Sequence, residues 1–140
     1  MGCASFATHL VHGRDRASER ARVREVGAIL DVLGRVDGPH VLVGDLNAVH
    51  PDDDVGAPPP EEGVEHVSRE PLRLLLQAGY VDAFRALHPS DRGWTYLANH
   101  PWARLDHVLA NGIEPSTAAV VKAASAGEAS DHFPVVVDLR

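Results

Sequence analysis

The stretch His40-Val41-Leu42-Val43-Gly44-Asp45-Leu46-Asn47 sets a carboxylate and a carboxamide two residues apart at the end of an apolar run. If strand geometry persists through it, Asp45 and Asn47 point to the same side of the strand's carboxyl end. Groups at such ends are fixed by the strand yet free to act, which is why functional side chains collect there. Gly, Asp and Asn are also the residues that turns prefer, so this stretch alone supports an ordinary turn equally well. Three other places carry groups of the same kind. His9 closes the short run Ala4-Ser5-Phe6-Ala7-Thr8, Asp106 sits inside Arg104-Leu105-Asp106-His107-Val108-Leu109, and Asp131-His132 precede the last apolar run. An acid within a strand must be solvated or partnered, because a lone buried charge is costly.

The elements that must position these groups follow from periodicity. Val41 to Val43 read as a strand buried on both faces. Gly44 allows a backbone angle or close approach denied to other residues. Asp15 caps a helix whose apolar stripe is Val26, Ile29, Leu30 and Leu33, with Gly34 or Gly38-Pro39 as its stop. Arg14, Arg16, Arg20, Arg22 and Arg24 crowd its start; a solvated face is the expectation, and a phosphate-facing rim from one or two of them is the sharper alternative. Residues 51–67 carry Asp52-Asp53-Asp54, Pro58-Pro59-Pro60 and Glu61-Glu62, and read as a long, stiff, acidic surface loop, partly disordered. Pro71 opens a short helix that Gly79 closes. Tyr80 to Phe84 pack onto the core, Gly93 to Tyr96 form a strand entry, Val120-Val121 start a strand, and Val135 to Leu139 form the last one.

Size and composition bound the reading. The 140 residues suffice for one modest domain, and 44% apolar content supports a core. A formal net charge of −7 argues against non-specific attraction to a phosphate backbone, which rests on Lys and Arg. A single cysteine, Cys3, excludes an internal disulfide. No apolar run approaches the roughly 20 residues of a membrane span, and the N-terminus lacks a signal-peptide pattern. The expected compartment is the cytoplasm, with secretion left open should a signal lie upstream. The His9-x-x-His12 spacing is weak evidence for a zinc site.

Four stretches stand in a fixed order: Thr8-His9-Leu10, Gly44-Asp45-Leu46-Asn47, Arg104-Leu105-Asp106 and Ser130-Asp131-His132. In that order, with Gly79-Tyr80-Val81-Asp82 and Trp94-Thr95-Tyr96, the chain resembles the endonuclease/exonuclease/phosphatase superfamily, the deoxyribonuclease I-like fold. The resemblance runs from Phe6 to Leu139. It implies an α+β fold, part of a two-sheet β-sandwich flanked by helices in four α/β/β/α layers. It covers only the C-terminal portion of that domain, so residues 1–140 are expected to be a single partial domain whose N-terminal half is missing. The Asn and Glu that this half contributes to the family's metal site have no counterpart here.

The resemblance implies a metal-dependent phosphoesterase or phosphodiesterase that uses Mg²⁺ or Mn²⁺ and an activated water. Asp45 would orient or deprotonate the water, and Asn47 would donate to a phosphate oxygen. Asp106 would fix the tautomer of His132, which then binds phosphate as a cation or serves as the base. His9 would clamp phosphate or act as acid on the leaving-group side. Asp131, with Asp45, would supply hard oxygen ligands to the metal. The substrate is a phosphate ester in a nucleic acid, a phospholipid head group or a small molecule. The alternative is a non-catalytic fragment or a subunit that pairs with another chain. With half the sandwich missing, Val41, Val43 and Val135 to Val137 are expected to form an open apolar face, so the chain self-associates and hydrolyses weakly or not at all.

Overall fold

A computed structural model describes residues 2–140. The chain begins with strand β1 (Ala4–His9) and helix α1 (Arg16–Leu33), whose Asp15 cap accepts a hydrogen bond from the Ser18 amide at 2.7 Å. Strand β2 (His40–Asp45) follows, then the long loop, with a single 3-10 turn at Pro60–Glu62. Helix α2 (Glu70–Gln77), strand β3 (Val81–Asp82) and helix α3 (Ala83–Leu87) come next. The chain ends with strands β4 (Asp106–Asn111) and β5 (Pro115–Val120), helix α4 (Ala124–Ala129) and strand β6 (Val135–Leu139).

Two sheets and their helices give the α+β, deoxyribonuclease I-like architecture. The first sheet has the order β1-β2-β4-β3, with β1 parallel to β2 and the other pairs antiparallel. Parallel neighbours need a crossover, and α1 provides it. The second sheet is the antiparallel pair β5-β6. Val26, Leu33, Leu42, Leu72, Leu75 and Leu109 share one core between α1, α2 and the first sheet, with Ile29 and Leu30 packed against it. The stripe read from the sequence is therefore the buried stripe.

Strand register brings three titratable residues side by side. In the β1-β2 pair His9 lies opposite Asp45, and in the β2-β4 pair Asp45 lies opposite Asp106. Gly44 permits the first of these pairings. Its φ is +142°, and a Cβ there would fall 1.8 Å from the Thr8 carbonyl oxygen.

Several expectations need correction. Val120 ends β5 rather than starting a strand, and the short helix α4 went unforeseen, although its alanines favour helix. Gly93 to Tyr96 form no strand; Tyr96 makes isolated bridges to Ala103 and His132. Val41 is buried and does not belong to an open face, while Val43, Val135 and Val137 are half-buried and Val136 is 53% exposed. Arg22 is fully buried and donates to the carbonyls of Val11 and Gly13, so it is no part of a solvated helix face. No helix among the described residues is long and apolar enough to cross a membrane.

The acidic loop is the largest departure. Asp52 and Asp54 are exposed as expected, but Asp53 is buried. It joins an ionic network centred on Arg104, whose side chain is 1% exposed. Arg104 donates to both Asp53 oxygens at 3.1 Å and to Asp82 Oδ1 at 2.9 Å. Arg85 reaches Asp53 from the other side at 2.9 Å, and His107 Nδ1 lies 3.1 Å from Asp82 Oδ2. Burial alone would raise the Asp82 carboxyl, but the His107 and Arg104 partners outweigh it and hold it far below the usual range. A second clamp is Glu19, which accepts from the amides of Arg69 and Glu70 and from His66 Nε2. Burial opposes its ionisation, yet these donors hold its pKa down to about 2. It thereby ties α1 to the start of α2.

Arg104→Met should be strongly destabilising, because it strips the guanidinium from two buried carboxylates. The expected loss is about 3–5 kcal/mol, measured by urea unfolding. A loss under about 1 kcal/mol, the size of a surface pair, would show that the network contributes little.

Candidate active site

The carboxyl ends of β1 and β2 and the amino end of β4 meet at one edge of the first sheet. The loops after β1 and before β6 close over the same edge. His9, Asp45, Asn47, Asp106, Asp131 and His132 all line one open cleft there, of about 470 Å³, together with His12, Arg14 and Tyr96. All six residues singled out in the sequence are brought together, from both ends of the chain and its middle.

Asp45 is the last residue of β2. Its Oδ1 accepts the Asn47 amide at 2.8 Å, and its Oδ2 faces His9 Nε2 at 3.4 Å and His132 Nε2 at 3.7 Å. Asn47 does not continue the strand. Its φ of 46° lies in the left-handed region, which Asn tolerates better than most residues. A side chain-to-backbone turn, not strand alternation, therefore sets Asp45 and Asn47 side by side. The Asn47 carboxamide accepts from Arg14 Nη1 and donates to the Leu10 carbonyl, both at 2.9 Å.

His132 sits between the two acids. Its Nδ1 donates to Asp106 Oδ2 at 2.7 Å, leaving Nε2 toward Asp45, with Asp131 Oδ1 4.0 Å away. The hydrogen bond to Asp106 raises the His132 pKa from its ordinary value of 6.5; burial pulls it down, and the charges of Asp106, Asp45 and Asp131 raise it further. The ring leans against Tyr96 at 4.7 Å between centroids. His9 and Asp131 lie at the mouth of the cleft, their side chains 72% and 65% exposed.

Asp45, Asp106 and His132 offer ligand atoms within 4.8 Å of one another. Asp106 Oδ2 and His132 Nδ1 are already committed to each other, however. Asp45 Oδ1 is likewise taken by the Asn47 amide, so the carboxylate oxygens still open to a hard divalent cation are Asp45 Oδ2, Asp106 Oδ1 and those of Asp131. One or two carboxylates with retained water is a donor set that suits Mg²⁺.

Sequence reasoning passed over three parts of this site. Arg14 lines the cleft and Arg22 is buried, while Arg16, Arg20 and Arg24 stay exposed as a solvated helix face. Glu62, from the acidic loop, accepts the Tyr96 hydroxyl with both oxygens at 2.9 Å. His107 Nε2 donates to the Ala48 carbonyl at 2.8 Å, just beyond Asn47. The available signals were the placement of Arg14 directly before the Asp15 cap and the two-residue spacing of His107 from Leu105 and Leu109, which puts it on the same strand face as they are.

The family model described as Endonuclease/Exonuclease/phosphatase family matches residues 2–132. The DNA repair nuclease APEX1 of Danio rerio is 34% identical over 114 residues, which span 72% of this chain and 36% of that protein. The exodeoxyribonuclease of Bacillus subtilis (strain 168) is 31% identical over 140 residues, 88% of this chain and 53% of that protein. The chain thus spans roughly a third to a half of the length of these two curated relatives. Among solved structures, an AP endonuclease from Archaeoglobus fulgidus superposes with a TM-score of 0.76 at 23% identity, covering 98% of this chain and 61% of that one. The 3′ phosphatase NExo from Neisseria, bound to product DNA hairpin, gives 0.74 at 22% identity, covering 97% and 60%. At these identities the structural matches establish the fold.

His132 should titrate above 6.5, and Asp106→Asn should lower its midpoint; both are read by NMR of the imidazole carbons. The sign of the stability effect is set by the direction of the shift. The His132–Asp106 pair contributes fully below the unfolded histidine's pKa, and that contribution is lost as pH rises through the higher folded value. A midpoint that does not move in Asp106→Asn would show that the hydrogen bond leaves the ring's basicity untouched.

Proposed function

The chain belongs to the endonuclease/exonuclease/phosphatase family, and on that premise we propose that its cleft hydrolyses a phosphate ester with an activated water. The observation that carries this reading is the placement of His132, bonded to Asp106 at 2.7 Å on one side and facing Asp45 at 3.7 Å on the other. A cationic ring beside a free carboxylate oxygen gives a phosphate-binding group and a proton acceptor within reach of one substrate atom.

The roles come from the proton preferences of each group. Asp106 favours the protonated His132, so the ring binds a phosphate oxygen and offsets charge that grows at phosphorus. Asp45 Oδ2, which makes no hydrogen bond to its own chain, orients and deprotonates the water. Between the two candidates for the base, the geometry supports Asp45. Asn47 donates its remaining N–H to phosphate. His9, at the mouth, is placed to clamp phosphate or protonate the leaving oxygen. Asp131 with Asp45 would hold a Mg²⁺ or Mn²⁺ ion, which supplies charge neutralisation at phosphorus when bound.

The substrate class is best sought first among nucleic acid ends. Curated relatives are named for DNA repair and for exodeoxyribonuclease activity. The net charge of −7 disfavours broad, non-specific duplex binding, which leaves the chemistry of the scissile phosphate to dominate recognition.

The test uses bis(p-nitrophenyl) phosphate and a short DNA duplex bearing a 3′ phosphate, each with Mg²⁺, Mn²⁺ or EDTA. Expected is divalent-dependent release of nitrophenol or phosphate, lowered on the order of 10²–10⁴-fold by Asp106→Asn with the fold intact. Absence of turnover from the wild-type chain on both substrates, or an Asp106→Asn variant as fast as wild type, would sink the reading.

A further inference from the structure

Arg14 has no place in the roles assigned above, yet it lines the cleft as a buried, permanent cation. Its side chain is 8% exposed. Nη1 donates to Asn47 Oδ1 at 2.9 Å. The guanidinium lies 5.4 Å from the Tyr96 ring centroid and 6.0 Å from that of Trp102. Nε is buried without a hydrogen-bond partner, and the nearest acid is Glu62 Oε2 at 4.0 Å. The same Glu62 fixes the Tyr96 hydroxyl. Arg14 thus lies against the acidic loop's Glu62 on one side and two aromatic faces on another, and its side-chain hydrogen bond goes to one carboxamide oxygen.

That oxygen belongs to a group with two orientations. A carboxamide can turn over, exchanging its acceptor and its donors. In the orientation present, Oδ1 meets Arg14 and one N–H meets the Leu10 carbonyl at 2.9 Å. The second N–H is left for the cleft that Asn47 lines. Turned over, donors would face the guanidinium and an oxygen would face the Leu10 oxygen. Both contacts would become repulsive inside a site where water cannot easily relieve them. The Leu10 carbonyl alone gives half of this bias; a buried permanent cation gives the rest.

We propose that Arg14, held by Glu62, is a positioning residue that locks the Asn47 carboxamide with one N–H directed at the phosphate in the cleft. The proposal rests on the phosphate-ester reading of the cleft, and it names the group that gives Asn47 its donor character there. It also assigns the acidic loop a part in binding, through a single carboxylate. Arg14 itself touches no substrate on this account.

The experiment reads the Asn47 side chain directly. In ¹⁵N-labelled protein the Asn47 NH₂ pair is assigned by its loss in Asn47→Ala. Arg14→Met should shift that pair and bring its two proton signals closer together, while the backbone amide spectrum keeps its dispersion. In turnover of bis(p-nitrophenyl) phosphate, Arg14→Met should raise KM about tenfold or more, the scale of one hydrogen bond to a charged group, with a smaller change in kcat. Arg14→Lys, which keeps a donor, should recover part of the loss. In the double variant with Asn47→Ala, Arg14→Met should add little further loss, because the arginine acts through the amide. An Asn47 pair unmoved in folded Arg14→Met, or losses that simply add, would overturn the proposal. If Arg14→Met does not fold, Glu62→Ala decides, since it is a loop substitution that removes the arginine's acid partner; an unmoved Asn47 pair there overturns it as well. The NMR readout needs no turnover. A silent enzyme therefore counts against the hydrolase reading alone, and an unmoved amide in an active enzyme counts against Arg14 alone.

Discussion

Asp45 and Asp106 stand directly opposite each other across the β2-β4 pair, and the site is organised by that like-charge opposition. Facing carboxylates on adjacent strands repel, and a sheet edge that holds them needs a positive partner in reach of both. His132 meets the need. It comes from the last loop of the chain, bonds one acid and leaves its second nitrogen toward the other. The hydrogen bond to Asp106, reinforced by the charges of both acids, raises the affinity of the ring for its proton. On the proposed reading, the same arrangement gives anion binding and proton abstraction to different groups.

A second charged assembly lies beneath the first and has the opposite character. Arg104, Asp53, Asp82, Arg85 and His107 are partnered within the protein rather than held open to the cleft. Through His107 the network reaches the Ala48 carbonyl, immediately after the turn that carries Asn47. Such buried ions add little net stability over an apolar core, but they penalise any packing that leaves a member alone. Here they fasten β4, the long loop and the α3 segment in one relative placement, which is the placement the cleft requires.

The sequence made some of this visible and hid the rest for a consistent reason. β2 and β6 are runs of strand formers, and α1 announces itself by the spacing of Val26, Ile29, Leu30 and Leu33 and by Asp15. These are local signals, and the first core follows from them. The six cleft residues were legible because four short stretches in a fixed order match a known pattern. Asp53 was misread because its neighbours Asp52 and Asp54 are ordinary solvated acids; only the distant Arg85 and Arg104 set it apart. Arg14 and Arg22 were lost among five arginines for the same reason. Whether a charge is buried depends on a partner tens of residues away, and no periodicity records that.

The alignment of His9, Asp45 and Asp106 on neighbouring strands has a further consequence for how the site can fail. Side chains alternate along a strand, so a slip of β4 by one residue would set His107 or Leu105 against Asp45 and turn Asp106 to the far side of the sheet. There is no half-slipped arrangement in which the two acids are merely somewhat farther apart. The cleft is therefore digital: each molecule holds the complete set or lacks it. Damage to the fold should show up as a smaller number of competent molecules, with the survivors unaltered in their chemistry.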